Sequence, residues 1–281
     1  MYDVKDTFSS SLSYYKTGHR FKNYAEFSSL EEYKFYFQYA KDNHLKLHIL
    51  ANGSNTLFNG KIINSLILKN KMPQSIIPIS TNKIRVTSTV PIIKLLKFCL
   101  KNSLDSFYYL ASVPATVGGA LAMNAGRGKI HNMTIYDFVE SVSFYNPSTD
   151  IIETLEKDKI VKGYRETIFT GSQPLLIIDC IFNFPSVVMD FDPIVNRQNW
   201  SKEHQDNSAP NCGSVFKDYD YSILNNLKGL RIGGSMFSSK TVNWILNDSD
   251  SGQSITLLIW VARLFHLLLA KHLELELIIV N

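Results

Sequence analysis

An uncharged run of small residues, 112–126, constrains this chain more than any other segment. It reads Ser-Val-Pro-Ala-Thr-Val-Gly-Gly-Ala-Leu-Ala-Met-Asn-Ala-Gly. An isolated Gly-Gly pair is typical of tight packing between a strand and a helix. A long uncharged run also offers backbone N–H groups that no side chain covers, which a pyrophosphate needs if it is bound closely without a lysine. The candidate binding residues of this run are Pro114, Thr116, Gly118, Gly119, Asn124, Ala125 and Gly126.

A second loop has the same chemistry on a smaller scale. Asn52, Gly53, Ser54 and Asn55 follow a strand-like segment, Leu45–Leu50. Thr56 then leads into residues 57–63, whose pattern predicts two short strands joined by a turn at Asn59-Gly60. Alone the loop would be an ordinary turn, but two such loops in one domain suggest a bound dinucleotide.

Periodicity elsewhere predicts an α+β chain. Ser28-Ser29 before Glu31-Glu32 resembles a helix cap with an acidic first turn. The tail, Leu273–Leu277, alternates strictly and predicts one half-buried strand with both glutamates on one face. The other predicted elements are helices over 29–44 and 91–100, strands over 84–90, 141–146, 151–154 and 175–184, and a last α/β unit over 213–247.

Composition excludes several classes of protein. The 281 residues are 45% hydrophobic and 19% charged, which is ordinary globular material. The net charge of +4 comes from scattered basic residues, so no nucleic-acid footprint is expected. Three distant cysteines, Cys99, Cys180 and Cys212, indicate neither a disulfide framework nor a metal site. We therefore expect a cytoplasmic protein without a secretory signal or a metal.

The segment Ile255–Ala270 is the strongest membrane candidate, but it is too short to span and contains Arg263 and His266. Apolar residues surround this predicted helix and indicate burial on two sides. A thick domain core explains the pattern somewhat better than a subunit interface. A monomer and a homodimer both remain open.

Several single residues could carry chemistry, each beside a simpler interpretation. Arg165 could form an exposed ion pair with Glu166. Ser214 has no His or Lys at the spacing of a hydrolase triad, which argues against a nucleophile but allows a proton donor. Glu274 and Glu276 could be solvent-facing strand residues.

Taken together, the segments resemble the UDP-N-acetylenolpyruvoylglucosamine reductases, which are flavoenzymes of peptidoglycan precursor synthesis. Five blocks stand in the family's order over roughly residues 20–280. They are Ala51–Phe58, Ser112–Gly126, Gly163–Phe169, Gln205 with Pro210–Asp218, and Gly229–Ser238.

The resemblance implies a two-part FAD-binding domain of the vanillyl-alcohol-oxidase type over 1–185, split near residue 60. A C-terminal α/β substrate domain over 186–271 and a returning strand over 272–281 would follow. It also implies FAD as cofactor, NADPH as electron donor and a nucleotide-sugar substrate. Reduction of UDP-N-acetylglucosamine enolpyruvate would then give UDP-N-acetylmuramate.

The family's catalytic positions are occupied. Arg165 matches the arginine and Glu276 the glutamate that stabilise the substrate enolate, with Glu274 as the fallback, and Ser214 matches the proton donor. Tyr164 and Lys217 match substrate or phosphate contacts more loosely.

The chain also departs from the family pattern. Ala51 and Asn52 replace two glycines of the family's GGGSN loop, Ala115 replaces a glycine, and Asp218 replaces an asparagine. These departures keep open a flavin-fold protein that acts on another nucleotide sugar or that lacks reductase activity.

Overall fold

The chain forms two compact units in the computed structural model, which describes residues 3–129, 131–171 and 174–281. The first unit comprises residues 3–25, 53–67 and 202–281, and the second comprises 26–52 and 68–201. Each unit is therefore assembled from stretches that lie far apart in the sequence.

Helices and strands are mixed along the chain. The helices are α1 (Leu30–Asp42), α2 (Ile92–Lys101), α3 (Val117–Ala122), α4 (Lys157–Ile160), α5 (Pro193–His204), α6 (Tyr221–Asn226) and α7 (Gln253–Leu268), with 3-10 turns at Tyr108–Leu110 and Ile135–Asp137. The strands are β1 (Lys5–Ser9), β2 (His19–Phe27), β3 (Leu47–Leu50), β4 (Thr56–Phe58), β5 (Ile62–Asn70), β6 (Ile76–Pro78), β7 (Lys83–Thr87), β8 (Val139–Asn146), β9 (Ile151–Glu156), β10 (Val161–Gly163), β11 (Glu166–Thr167), β12 (Leu176–Asn183), β13 (Phe216–Asp218), β14 (Arg231–Ile232), β15 (Ser235–Phe237), β16 (Ile245–Asn247), β17 (Glu274–Leu275) and β18 (Ile278–Val280).

The second unit is built on an antiparallel sheet in the order β6-β7-β12-β8-β9. Helix α2 presents Ile92, Leu95, Leu96 and Cys99 at helical spacing, and all four are buried in one core with strand residues such as Phe182. The predictions of this helix and of strands near 84–90, 141–146, 151–154 and 175–184 are confirmed.

Helix α1 begins where the sequence predicts it. The Ser29 side chain accepts a hydrogen bond of 3.1 Å from the Glu32 N–H, and Glu31 and Glu32 supply the acidic first turn. This arrangement satisfies one of the free N–H groups at the helix start and complements the helix dipole.

Pairing in the first unit differs from the predicted pairing. The two short strands predicted on either side of Asn59-Gly60 are β4 and β5, but β4 pairs in parallel with β18, with Thr56 opposite Ile278, and not with β5 as in a hairpin. The tail is two short strands rather than one, because β17 pairs with β13 while β18 joins β4. Strict alternation predicts an extended chain but does not say that the chain changes partners within it.

Helix α7 packs its inner face into the core of the first unit. Ile255, Leu258, Ile259 and Ala262 are fully buried there. The expected burial on two sides is wrong within this chain, because residues on the opposite face, such as Leu264, are exposed to solvent. Among the described residues, no helix combines the length and the apolar character needed to cross a bilayer.

The compact units do not follow the predicted functional boundaries. The first unit takes residues from before position 60 and from after position 202, whereas the boundary near residue 185 falls inside the second unit. The predicted segments 1–185, 186–271 and 272–281 concern what each part binds, and they remain a prediction.

Asn247 offers a test of how the first unit is held together. Its buried side-chain amide donates to the carbonyls of Tyr15 and Ser249, and its Oδ1 accepts from Ser235 Oγ at 2.8 Å. Replacing it with alanine leaves these buried groups without partners, so Asn247→Ala should lower the free energy of unfolding by about 3 kcal/mol. Urea denaturation measures this loss, and the exposed Asn102→Ala serves as the control. Equal losses in both variants would contradict the role.

Acid should destabilise the first unit through His19. Its Nδ1 lies 2.6 Å from the Gly60 carbonyl, and burial lowers its pKa although this hydrogen bond opposes the shift. The unfolded imidazole, with a pKa near ~6.5, binds its proton first as pH falls. Stability should therefore decline from about pH 6.5 down to the lower folded-state pKa. His19→Gln should flatten the melting temperature between pH 7.5 and 5, and an unchanged slope would contradict the assignment.

Candidate functional site

The small-residue run begins in the second unit as a tightly bonded turn into α3. The N–H groups of Val117 and Gly118 donate to the carbonyls of Val90 and Ser88 at 2.8 and 2.7 Å. The Gly119 N–H donates to the side chain of Thr116, which caps α3. The expectation that this run offers free backbone donors is therefore wrong at positions 117, 118 and 119.

Within this unit, the start of the second loop contacts the run directly. The Asn52 amide donates to the Pro114 carbonyl at 2.9 Å. A Cβ placed on Gly119 would lie 3.2 Å from the methyl group of Ala51, so a side chain at position 119 would require Ala51 to shift by a few tenths of an ångström. Ala51 and Asn52, which add side chains where the family has glycine, thus join the two predicted loops.

A cation lies at the same place. The Lys69 ammonium donates to the carbonyl of Ala51. Burial lowers the pKa of Lys69, and the neighbouring Lys71 adds repulsion. Nothing in the sequence pattern singled out this lysine, because it stands in an apolar strand, β5, without a motif around it.

The end of the run carries an unsatisfied acceptor. Asn124 has a positive φ of 43°, and its side-chain amide donates to the Gly163 carbonyl at 3.0 Å. Its Oδ1 is buried and has no hydrogen-bond partner among the described residues. Ala125 bonds through its backbone to Ala120 and Ile135. The unsatisfied oxygen is suited to an N–H or O–H donor of a ligand.

Arg165 is anchored on the same residues. Its two terminal nitrogens donate to the carbonyls of Asn124 and Gly126, both at 3.0 Å. Its guanidinium carbon lies 5.2 Å from the centre of the Tyr164 ring. The positive φ of 58° at Arg165 turns the backbone so that the side chain reaches these carbonyls. The second unit thus brings together Arg165, Tyr164 and the small-residue run.

The remainder of the second loop belongs to the first unit. Gly53 adopts a φ of +69°, and a Cβ there would overlap the carbonyl oxygen of Leu12. Thr56 begins β4 and is buried. The N–H groups of Gly53, Ser54 and Asn55 donate to no acceptor within the described residues. These three groups form the free backbone donor set that the sequence predicts.

The loop is tied to the predicted catalytic glutamate. The Asn55 side chain donates to the Glu276 carbonyl at 2.9 Å, and the Ile278 N–H donates to the Asn55 carbonyl at 3.1 Å. The Glu276 N–H in turn donates to the Val215 carbonyl at 2.8 Å. Glu276 is thereby held beside both the loop and the residue that follows Ser214.

Asn243 fixes the chain around Ser214, although no periodic pattern points to it. Its side chain bonds both the N–H and the carbonyl of Phe216 at 2.9 and 2.8 Å, and its own carbonyl accepts from Val215. Ser214 itself is half-buried, and its hydroxyl makes no hydrogen bond to the described residues. That hydroxyl is therefore available to a substrate.

Cys212 packs the Ser214 turn against the loop. Its Sγ lies 3.7 Å from the Thr56 carbonyl and 3.9 Å from that of Gly53. Burial raises the pKa of this thiol to about 11, so it stays protonated at neutral pH and is a poor nucleophile.

Lys217 has a partner already. Its ammonium lies 2.8 Å from a carboxylate oxygen of Glu274, the fallback choice for the catalytic glutamate. Nδ1 of His272 lies 3.2 Å from Asp218, the residue that replaces the family's asparagine. Among the described residues no group of His, Cys, Asp or Glu has the arrangement of a metal site.

Comparison with known proteins points to one family. The family described as FAD binding domain matches residues 22–155. The UDP-N-acetylenolpyruvoylglucosamine reductase of Aquifex aeolicus is 29% identical over 84% of this chain and 80% of its own length. That of Desulforamulus reducens is 28% identical over 78% of this chain and 74% of its own length.

A solved structure supports the fold. The UDP-N-acetylenolpyruvylglucosamine reductase of Thermus caldophilus superposes with a TM-score of 0.79 over the full length of both chains, at 19% identity. Together with the match to the FAD-binding family, this likeness confirms the predicted fold class, an α+β chain with a FAD-binding part and a C-terminal α/β part.

The bond from Asn52 to Pro114 should matter for flavin binding. Asn52→Ala removes the bridge between the two loops, and the loss of one hydrogen bond should weaken FAD binding roughly fivefold. Titration of the apoprotein, followed by quenching of FAD fluorescence, measures this change.

Asn23→Ala is the matched control, because the Asn23 amide also donates to a backbone carbonyl, that of Asn64, at 2.9 Å. It should leave FAD affinity unchanged. Equal affinities for the wild type and Asn52→Ala would show that the bridge does not shape the cofactor site.

Proposed function

We propose that the chain reduces the enolpyruvyl group of UDP-N-acetylglucosamine enolpyruvate to give UDP-N-acetylmuramate, in keeping with its likeness to the UDP-N-acetylenolpyruvoylglucosamine reductases and with its match to the FAD-binding family. The reaction uses FAD and takes its electrons from NADPH. It serves peptidoglycan precursor synthesis in the cytoplasm. One observation carries the proposal: within one unit, Glu276 is bonded directly to Asn55 of the loop and to Val215, the residue that follows Ser214.

The residues present fit a flavin dinucleotide. The free N–H groups of Gly53, Ser54 and Asn55 would hold its phosphates, and the buried Oδ1 of Asn124 would accept from one of its N–H or O–H groups. Thr116, Gly118 and Gly119 would shape the cradle rather than donate to it. When bound, FAD supplies the two electrons that the enolpyruvyl double bond receives.

Ser214 acts as the proton donor in this proposal. The residue is half-buried, and its hydroxyl makes no hydrogen bond to the described residues. A serine is a weak acid, but the carbon of an enolate is basic enough to take its proton. Asn243 makes three hydrogen bonds to Val215 and Phe216, the two residues that follow Ser214, and so holds the backbone on that side of the serine.

Glu276 and Arg165 stabilise the enolate that forms on the substrate carboxylate. The two carbonyls that hold Arg165 fix the direction of its guanidinium, and a fixed donor stabilises developing charge better than a mobile one. The choice between the two glutamates favours Glu276, because its backbone is bonded to Asn55 of the loop and to Val215, the residue that follows Ser214.

Substrate contacts follow from the remaining positions. We assign Tyr164 and Lys217 to the nucleotide sugar, so that Lys217 exchanges its carboxylate partner for a substrate phosphate. The functional segments would be a flavin-binding part over 1–185, a substrate part over 186–271 and a catalytic tail over 272–281.

The visible spectrum tests the proposal in three steps. The purified protein incubated with FAD should show a flavin band, NADPH should bleach it, and the enolpyruvyl nucleotide sugar should restore it under anaerobic conditions. No flavin band would overturn the proposal. A band that bleaches but is not restored would indicate another substrate for the same flavin fold.

Ser214→Ala separates the two half-reactions. The variant should be bleached by NADPH at the wild-type rate, whereas reoxidation by the enolpyruvyl substrate should slow by at least ~100-fold, because only proton transfer is removed. Stopped-flow absorbance at the flavin band measures both rates. Ser222→Ala, an exposed serine on α6, is the control. Equal slowing of both half-reactions would contradict a proton-donor role.

A further inference from the structure

The outer face of α7 is an apolar surface on the first unit. Leu257, Trp260, Leu264 and Leu267 recur at intervals of three and four residues, which aligns them along one side of the helix. Phe265, Leu268 and Leu269 extend this face at the end of the helix. The seven side chains are between 44% and 77% exposed. We call these seven residues the α7 face.

The α7 face is larger than the apolar patches of most monomeric proteins. At these exposures the seven side chains present about 700 Å² of largely apolar surface, whereas the largest patch on a monomer is ordinarily ~300–600 Å². One side of a standard protein interface buries ~800 Å². The α7 face is therefore close to the area that one protomer contributes to a stable dimer.

We propose that the α7 face binds a second copy of this chain across a two-fold axis. Such an interface brings the same patch of two protomers together, so each face must be complementary to itself. The stripe from Leu257 to Leu267 contains no acid and runs for about 15 Å along the helix. Its spacing of three and four residues is the one that packs two helices along a common seam.

The charges around the α7 face favour a protein partner over a lipid surface. A helix that binds an anionic membrane carries a rim of available Lys and Arg residues. Here Lys271 lies 3.7 Å from Asp220, and His272 lies 3.2 Å from Asp218. Arg263 stands at the edge, 5.3 Å from the centre of the Trp260 ring. The basic groups near the helix end are thus already opposite carboxylates or against the face itself.

The oligomeric state of the full chain tests this proposal. Sedimentation velocity at ~10 µM should give twice the chain mass for the wild type. Leu264→Lys and Leu267→Lys place like charges opposite each other across the axis, and each should weaken the dimer at least ~100-fold. Both side chains are exposed, so the variants should keep the wild-type circular dichroism spectrum and flavin band. Ile151→Lys, an equally exposed apolar residue of the second unit, should remain dimeric.

Three outcomes would overturn the proposal. The first is a monomeric wild type up to ~100 µM, and the second is a dimer that survives both lysine substitutions. The third is a lipid partner, for which flotation with vesicles of phosphatidylglycerol and phosphatidylcholine gives the readout. Wild-type protein that floats, with Leu264→Asp no longer floating, would assign the α7 face to a membrane, because an added acid opposes binding to anionic lipid.

Discussion

Side-chain amides of asparagine hold the loops of the candidate site, in addition to the short strand pairs β13–β17 and β4–β18. The side-chain amides of Asn52, Asn55 and Asn124 donate to the carbonyls of Pro114, Glu276 and Gly163, respectively. The amide of Asn243 donates to the carbonyl of Phe216. A buried backbone group without a partner costs free energy, and irregular loops cannot pair with one another as strands do. Each asparagine supplies the missing donor at one junction, so the positions of Glu276, the Ser214 turn and the small-residue run all depend on such bonds.

Sequence periodicity predicted the helices and strands that bury one apolar side in the core. Helix α2 and strands β8, β9 and β12 have apolar residues at the spacing of their secondary structure, and each lies close to its predicted range. Periodicity did not predict pairing. The break between β17 and β18 and the partner of β4 depend on contacts between distant segments, which a local pattern does not contain.

In the candidate site, too, the sequence predicted some residues, whereas others are recognised only from contacts in the folded chain. Motif order led to the small-residue run and to Ser214, because glycines and small polar residues stand out in a sequence. Lys69 donates to the carbonyl of Ala51, and nothing in its neighbours distinguishes it from an ordinary strand residue. Cys212 lies inside the block Pro210–Asp218, but its contacts to the carbonyls of Gly53 and Thr56 exist only in the folded chain. The three hydrogen bonds of Asn243 to Val215 and Phe216 likewise depend on the folded turn. The hydrogen bonds of the N–H groups of Val117, Gly118 and Gly119 could not be inferred from the sequence either. Two of their acceptors are carbonyls that follow β7, so these bonds depend on where that strand ends.

The parallel pairing of β4 with β18 has a consequence for biosynthesis. Thr56 opposes Ile278, and the Asn55 carbonyl accepts from the Ile278 N–H. The loop of Gly53–Asn55 emerges early from the ribosome, yet it lacks its partner strand until residues 278–280 have been translated. Helices such as α2 can form and pack while the chain is still growing. The loop that we assign to the flavin phosphates must wait for this strand, so the protein should acquire its cofactor only after residues 278–280 have left the ribosome.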